Sequence, residues 1–577
     1  MPRRPPFLPP ALFLALASAV LLIAAFPSFT QPWAAWVALV PWLLLLHHAS
    51  PGAAFRWSYL IGVLFFLGSM WWLIHVTLIG WLVLTAYQAL YFGVFGWLVV
   101  LGWSALAGAR GREKRRLGTD RPWGKTYAFA GIPAIWVALE FTRSHLLSGV
   151  GWNLLAYSQA PRPLVIQLAD LTGVWGVSFI IVLVNVALAE MADAVAWRQG
   201  GRTGDRLAFQ RATAHVTWAV LWLLVLIGYG SWRLEVVAPL SSTSAPSSPA
   251  PPIGEDPGSV VNQTVRVTVV QGNIPQAEKW DDTLRASILS RYETLTRAAV
   301  QAGLPAGPSA AQAGPRLIVW PETSVPGYLG LDESLTQRIV NVAGSAGAPL
   351  LMGAPHVRLA DAEWTMMNGA ALVDAAGVSG WYDKLHLVPF GEFIPFERMF
   401  PWLRRVLPPI GDFVPGTEHT VFRFPLPGSR LSDVSQRLPP FSVLICFEDL
   451  FPELARRFVR EGARLLLVIT NDAWFGPTAA AYQHVQASTL RAVELRVPVV
   501  RAANTGWSGC IDAAGRWTGS VRDATGQELF VAGTYPCEVA PGPAESLYLR
   551  WGDWFAFLCL GLTSAVLWRC RPRRKSR

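Results

Sequence analysis

The chain of 577 residues is 52% hydrophobic and only 15% charged, with 28 Trp. It is longer than one domain and too apolar for a protein that lives wholly in water, so several membrane spans are expected. The net charge of +10 does not point to nucleic acid, because Lys and Arg gather in short stretches between apolar segments, where they report topology; five cysteines without a CxxC pair argue against structural zinc and a disulfide framework.

Apolar stretches of spanning length lie at about 9–27, 31–48, 57–76, 82–105, 127–144, 173–193, 214–232 and 552–569. A helix needs about 20 residues to cross the hydrocarbon core. The first stretch has the basic start and apolar run of a secretory leader, but cleavage would still leave a polytopic chain, and it reads as an uncleaved span. Arg3 and Arg4, the loop ARGREKRRLGTDRPWGK (109–125), the loop WRQGGRTGDRLAFQR (197–211) and the tail RCRPRRKSR (569–577) carry the basic charge. With eight spans all of these fall on one side, the cytoplasm by the positive-inside rule, and 233–551 lies on the other. Glu140 and Arg143, three residues apart in the fifth stretch, share a helical face. Ionisable groups at membrane depth are costly, so they make either a headgroup contact or a structural ion pair.

The region outside begins with SSTSAPSSPAPPIGEDPGS (241–259), a flexible linker by composition. From Val265 the texture changes. VRVTVVQGN, RLIVWPE, PLLMGAP, AALVDAAG, FSVLICFE and RLLLVITND are strand-like runs, and DDTLRASILSRYETLTRAAVQA, DESLTQRIVNVAG and AAYQHVQASTLRAVELRV are amphipathic. Strands alternating with helices predict a layered α/β domain. The organisation expected is a membrane domain with seven spans at 1–232, a linker at 233–264, an α/β domain at 265–545, and an eighth span with a basic tail at 546–577.

Three strand ends carry chemistry. LIVWPETSVPG sets Glu322 just after a strand, GWYDKLHLVPFGEFIPF offers Lys384 and Glu392, and FSVLICFEDLFPE sets Cys446 before Phe447, Glu448 and Asp449. Ligands gather beyond the carboxyl ends of strands in such domains. Acids next to a thiol raise its pKa, so a reactive Cys446 needs a cation and a base from elsewhere; a buried inert thiol is the alternative. Glu322 is suited to take and return the thiol proton, Lys384 to favour thiolate and stabilise an oxyanion, and Cys446 to attack a carbonyl. The backbone N–H of Phe447 is a second oxyanion donor. Alone, Glu322 could cap a helix and Lys384 could pair with Asp383 at the surface.

Other side chains invite plainer readings. His386 is two residues from Lys384 and reads as structural rather than as a Cys–His partner. His484 suits polar packing, and Asn471 and Asp472 suit a turn. Trp474 and Phe475 fit either the core or a loop dipping into lipid. Cys510 and Cys537 lie where oxidation is permitted and could pair. Cys559 and Cys570 sit in or beside the last span.

WPE, YDKLHLVPFGEF and CFED together resemble the three motif blocks of the carbon–nitrogen hydrolase (nitrilase) superfamily, in its Glu-Lys-Cys chain order. Apolar spans on both sides, with VVQGNIPQAEKW, TNDAWFG and RAANTGWSGCIDAAG, narrow the resemblance to the apolipoprotein N-acyltransferase family. That resemblance implies an αββα sandwich on an eight-helix membrane domain in the bacterial inner membrane, with the sandwich on the periplasmic side and both termini cytoplasmic. It implies two-step transfer of the sn-1 acyl chain of a phospholipid, typically phosphatidylethanolamine, through a thioester on Cys446. The acceptor is the α-amine of the S-diacylglyceryl cysteine of an apolipoprotein. Glu322 is then the base, Lys384 the oxyanion stabiliser, and Glu392 and Glu448 supporting acids, with Trp280 near the substrate. Phe447 stands where the family often has Tyr. A membrane-anchored amidase or nitrilase would use the same triad with water as acceptor, and a transporter with a ligand-binding outer domain would not need it. With no HExxH, no zinc-like Cys spacing and no P-loop, neither metal nor organic cofactor is expected.

Overall fold

The computed structural model describes residues 10–108, 127–199, 206–241, 264–279, 281–303, 316–360, 363–395, 397, 399–402, 404, 412–423 and 438–570. Most of the 241–259 linker, the basic loop 109–125, Arg3, Arg4, the basic tail beyond Cys570 and Trp280 lie outside them. The chain divides into a helical unit of 1–233, 478–486 and 550–577, and an α/β unit of 234–477 and 487–549.

Among the described residues four helices are long and apolar enough to cross a membrane: Pro51–Ser69, Leu78–Trp103, Val174–Arg198 and Ala208–Val237. Shorter apolar helical segments cover Ala11–Ala25, Pro32–His47, Pro163–Thr172 and Trp554–Trp568. Helix length therefore carries four of the eight expected spans. Prolines account for part of the difference, since each removes a backbone donor and clashes with the preceding turn. The stretch at 31–48 is divided into a 3₁₀ turn at Pro32–Trp36 and a helix at Val40–His47 with Pro41 in its first turn. The stretch at 127–144 opens with a π turn, Tyr127–Gly131, before the helix Ile132–His145.

Glu140 and Arg143 have a use that the sequence reading did not consider. The chain turns sharply through Leu147, Ser148 and Gly149, all at positive φ, and leaves buried backbone groups beyond the turn. Glu140 Oε1 accepts from the Leu155 N–H at 2.7 Å, and Arg143 Nη1 donates to the Trp152 carbonyl at 2.8 Å. The two side chains satisfy backbone that would otherwise be buried without partners. Gln483 does similar work in the same unit. Its amide donates to the carbonyls of Pro27 and Ser69 and accepts from the indoles of Trp72 and Trp152. His484 packs its ring on Trp152, a polar packing role.

Among the described residues the α/β unit holds eleven strands: β1 (Val265–Gln271), β2 (Arg316–Val319), β3 (Leu350–Ala360), β4 (Glu363–Asp374), β5 (Gly377–Asp383), β6 (Phe441–Ile445), β7 (Leu465–Thr470), β8 (Val499–Ala503), β9 (Gly509–Ile511), β10 (Trp517–Ser520) and β11 (Gly533–Val539). One sheet runs β11-β1-β2-β3-β4-β5, with β1, β2 and β3 parallel; the other runs β10-β9-β8-β7-β6, with β6, β7 and β8 parallel. The parallel strands β6, β7 and β8 are buried along their whole length, as strands covered on both faces must be. Helices Arg285–Gly303 and Glu333–Ala346 cover the first sheet, packing Ile288, Leu289, Ile339 and Ala343 against Val270, Ile318 and Leu350. Asp332 caps the second of these by accepting from the Leu335 N–H. Cys510 in β9 and Cys537 in β11 form a disulfide with Cα atoms 5.8 Å apart, tying the edge of one sheet to the other. Cys559 is buried as a free thiol in the helix Trp554–Cys570.

Candidate active site

The three singled-out side chains all leave from strand ends. Glu322 follows β2 on a loop pressed against β3, and Gly353 makes that approach possible. A Cβ at Gly353 would lie 2.5 Å from Glu322 Cα and 2.4 Å from Thr323 N. Lys384 is the first residue after β5. Cys446 is the first after β6 and takes φ +53°, a left-handed conformation uncommon outside glycine. It opens the short 3₁₀ helix Cys446–Leu450. That kink lifts the thiol out of the strand while the buried ladder of β6 and β7 fixes its base.

Glu322, Lys384 and Cys446 are all buried. Lys384 Nζ donates to Glu392 at 2.9 Å and stands 3.6 Å from Glu322 Oε1. Only the first is a hydrogen bond. Glu392 is thus the fixed partner of the lysine, and Glu322 is held at a longer distance. Asn368 in β4 does the holding. Its Nδ2 donates one hydrogen to Glu322 Oε1 at 2.8 Å and the other to Glu392 Oε1 at 2.7 Å. The Asn471 N–H donates to the other oxygen of Glu322 at 2.9 Å. The Asn471 side chain is pinned in turn by Gln276 and Asn504.

Electrostatics separate the roles. Burial and the Glu322 carboxylate push the Cys446 thiol well above its ordinary pKa, although Lys384 pulls the other way. The resting thiol is therefore protonated and needs a base. Burial pulls the Lys384 pKa down, but Glu392 and Glu322 outweigh it and hold the ammonium charged above its usual range. Glu448 has no exposed surface. It accepts from the Ile445 N–H just before the cysteine, from the Leu385 and His386 N–H groups just after the lysine, and from the Tyr382 hydroxyl. Burial pushes its carboxyl up to about 7 against those bonds. Glu448 is the brace between the segment carrying the thiol and the segment carrying the ammonium.

The other candidates fall elsewhere. His386 stacks its ring on Phe451, and burial, with His419, lowers its pKa. Phe447 packs edge-on against Phe451. Asp472 lies beneath the site, 3.8 Å from Arg501, which donates to Asp449 at 2.6 Å. Trp474 and Phe475 are half-buried in the short helix Asp472–Phe475. Lys279, which sequence reasoning missed, is buried and donates to the Glu322 carbonyl at 2.7 Å. Burial lowers its pKa to about 8, despite Glu322 and Cys446. Asn368 was missed too; a lone amide inside the apolar run of β4 was its signal.

A family model for the N-terminal domain of apolipoprotein N-acyltransferase matches residues 18–187, and the carbon–nitrogen hydrolase model matches 266–532. The chain is 35% identical to the apolipoprotein N-acyltransferase of Geobacter metallireducens, over 98% of this chain and 95% of that one. It is 30% identical to that of Chlorobaculum tepidum, over 87% of both. Among solved structures, an amidase from Nesterenkonia sp. AN1 aligns with 19% identity and a TM-score of 0.32, covering 52% of this chain and 99% of the amidase. The α/β unit is a nitrilase-like domain, the apolar helices make this a membrane-bound protein, and the chain belongs to the apolipoprotein N-acyltransferase family.

Proposed function

We propose that the protein moves an acyl chain from the sn-1 position of a membrane phospholipid, such as phosphatidylethanolamine, to the α-amine of the N-terminal S-diacylglyceryl cysteine of apolipoproteins. The observation that carries this is a buried Cys446 within electrostatic reach of Glu322 and Lys384, in a chain that also holds four helices long and apolar enough to cross a membrane among its described residues. Glu322 takes the thiol proton as Sγ attacks the ester carbonyl. The oxyanion develops towards the Lys384 ammonium and the Phe447 N–H. Collapse breaks the ester C–O bond, and Glu322 gives its proton to the departing lysophospholipid oxygen, leaving a thioester. The amine then attacks, Glu322 takes its proton, and the C–S bond breaks to return thiol and amide. Protons balance over the two steps without a cofactor. Glu392 and Glu448 keep the ammonium and the thiol in register.

Eight spans, cytoplasmic termini and a periplasmic α/β domain in the inner membrane complete the reading. The distribution of basic loops supports the orientation, the short apolar helices Ala11–Ala25, Pro32–His47 and Trp554–Trp568 support three of the spans beyond the four long ones, and the Cys510–Cys537 disulfide suits an oxidising compartment. An amidase would share the triad, but a small soluble amide gives no reason for so much apolar helix. The test is trapping: supply sn-1-labelled phospholipid without acceptor and measure intact mass and hydroxylamine sensitivity. A labelled thioester on Cys446 that a diacylglyceryl peptide discharges as an amide supports transfer. No adduct on folded protein that hydrolyses small amides overturns it.

A further inference from the structure

Two histidines at the end of the helix Val40–His47 and one aspartate of the helix Val174–Gln199 meet inside the helical unit. His47 Nδ1 is 3.4 Å from Asp193 Oδ2, and His48 Nε2 is 3.7 Å from Asp193 Oδ1. One donor atom from each residue lies within 4.8 Å of the other two. Those separations are too long for hydrogen bonds, which close to about 2.7–3.2 Å. They are close to the edge of a tetrahedron around an ion with bonds of about 2.0–2.2 Å, which is about 3.3–3.6 Å. The chain supplies its own comparison: where a histidine pairs directly with a carboxylate, as His356 does with Asp383, the distance is 2.7 Å.

The burial argues the same way. The His48 side chain is 3% exposed, and among the described residues neither of its ring nitrogens has a hydrogen-bond partner. A buried imidazole left so costs desolvation free energy that a ligand at Nε2 would recover. Asp193 is 4% exposed, and its Oδ1 accepts from the Trp197 indole at 3.1 Å. A hydrogen bond to a ligating carboxylate is the usual outer support of a metal site. The His47 ring is held edge-on against His48 and Trp103.

We propose that His47, His48 and Asp193 bind one divalent transition-metal ion of the zinc class. Two imidazoles and a carboxylate suit Zn²⁺, Co²⁺ or Ni²⁺ and do not suit Mg²⁺ or Ca²⁺, which take oxygen donors. The fourth position goes to water. The ion clips the end of one helix to another, a structural role apart from the Cys446 site. The His-His pair lacks HExxH spacing and its carboxylate lies far along the chain, so the sequence expectation of no metal could not anticipate it.

The test uses the full chain, purified in detergent through a tag without histidine and stripped with a chelator. Zn²⁺ content by elemental mass spectrometry and Co²⁺ absorbance are then measured on titration, with the unfolding temperature. One ion per chain, a tetrahedral Co²⁺ band and a raised unfolding temperature are expected. H48A and D193N should weaken binding at least about 100-fold, since losing even an outer partner costs 10–100-fold. H215A, which removes a histidine paired with Glu190, should bind normally. Failure of the wild-type chain to bind Co²⁺ or Zn²⁺ stoichiometrically overturns the proposal whether or not the variants fold. Binding that survives in folded H48A and D193N overturns it equally.

Discussion

Asn368→Leu tests the spacing of the acid and the ammonium. The substitution keeps the branching of the side chain and the backbone carbonyl that accepts from the Lys384 N–H. It removes two hydrogen bonds to carboxylates, at 2.8 Å to Glu322 and 2.7 Å to Glu392. Bonds to charged acceptors contribute about 1.5–3 kcal/mol each, so stability should fall by roughly 3–6 kcal/mol before relaxation. Glu322 loses the donor holding its Oε1 at 3.6 Å from Lys384 Nζ. At an effective dielectric of about 20, the attraction at 3.6 Å is about 4.6 kcal/mol, and closing to about 2.9 Å raises it to about 5.7 kcal/mol. That gain of about 1 kcal/mol draws Glu322 into a salt bridge, and lost orientation adds to it. Thioester formation on Cys446 should slow about 10- to 100-fold, at about 1.4 kcal/mol per tenfold. The assay is single-turnover acylation by intact mass, with unfolding in the same detergent. A folded variant acylating within threefold of wild type would show that Asn368 does not hold Glu322 in a position that matters for acylation.

Three further outcomes follow from the same geometry. Glu448→Gln puts an amide donor among four donors, so at least one of the Ile445, Leu385 or His386 N–H groups loses its acceptor; stability should fall by about 2–4 kcal/mol with slower acylation, and an unchanged denaturant midpoint would contradict the bracing role. Lys279 has a folded pKa of about 8, below the 10.5 of an ordinary lysine, so the unfolded chain binds the extra proton between those values. Its contribution therefore rises with pH from about 8 to about 10.5, by roughly 3 kcal/mol, and is lost as pH falls through that window. Lys279→Met should flatten this part of the stability profile, and parallel profiles for variant and wild type would refute the buried cation. Replacing both Cys510 and Cys537 with Ser opens a loop of sequence separation 27, which should cost roughly 3.5 kcal/mol by loop entropy; urea midpoints measure it, and no change relative to wild type would mean the bridge contributes nothing.

The strand-like runs of β1, β2, β3, β4, β6 and β7 were legible because each is a short apolar run between turn residues. Four of the others hide for identifiable reasons. β8 carries Arg501, buried by pairing with Asp449; β9 and β10 are only three and four residues long; and β11 contains Pro536, tolerated because the strand is at a sheet edge. Hydropathy marked the apolar stretches, but a sliding reading sees neither the division at Pro41 nor the π turn at Tyr127–Gly131.

The sequence by itself determined which residues could do chemistry. An acid, a cation and a thiol directly after strands are local features, set by the pattern of the surrounding few residues; Glu322, Lys384 and Cys446 were visible that way, and the family resemblance added Glu392 and Glu448. Only the tertiary structure decided how they divide the work. Glu392 rather than Glu322 is the hydrogen-bonded partner of Lys384, because β4 brings the Asn368 amide between the two carboxylates. Lys279 reaches the Glu322 carbonyl, Glu140 and Arg143 hold a turn, and His48 meets Asp193 for the same reason. Such partnerships join residues distant along the chain. Sheet register, helix packing and burial bring them together, and no local pattern encodes the distance that separates a salt bridge from a poised base.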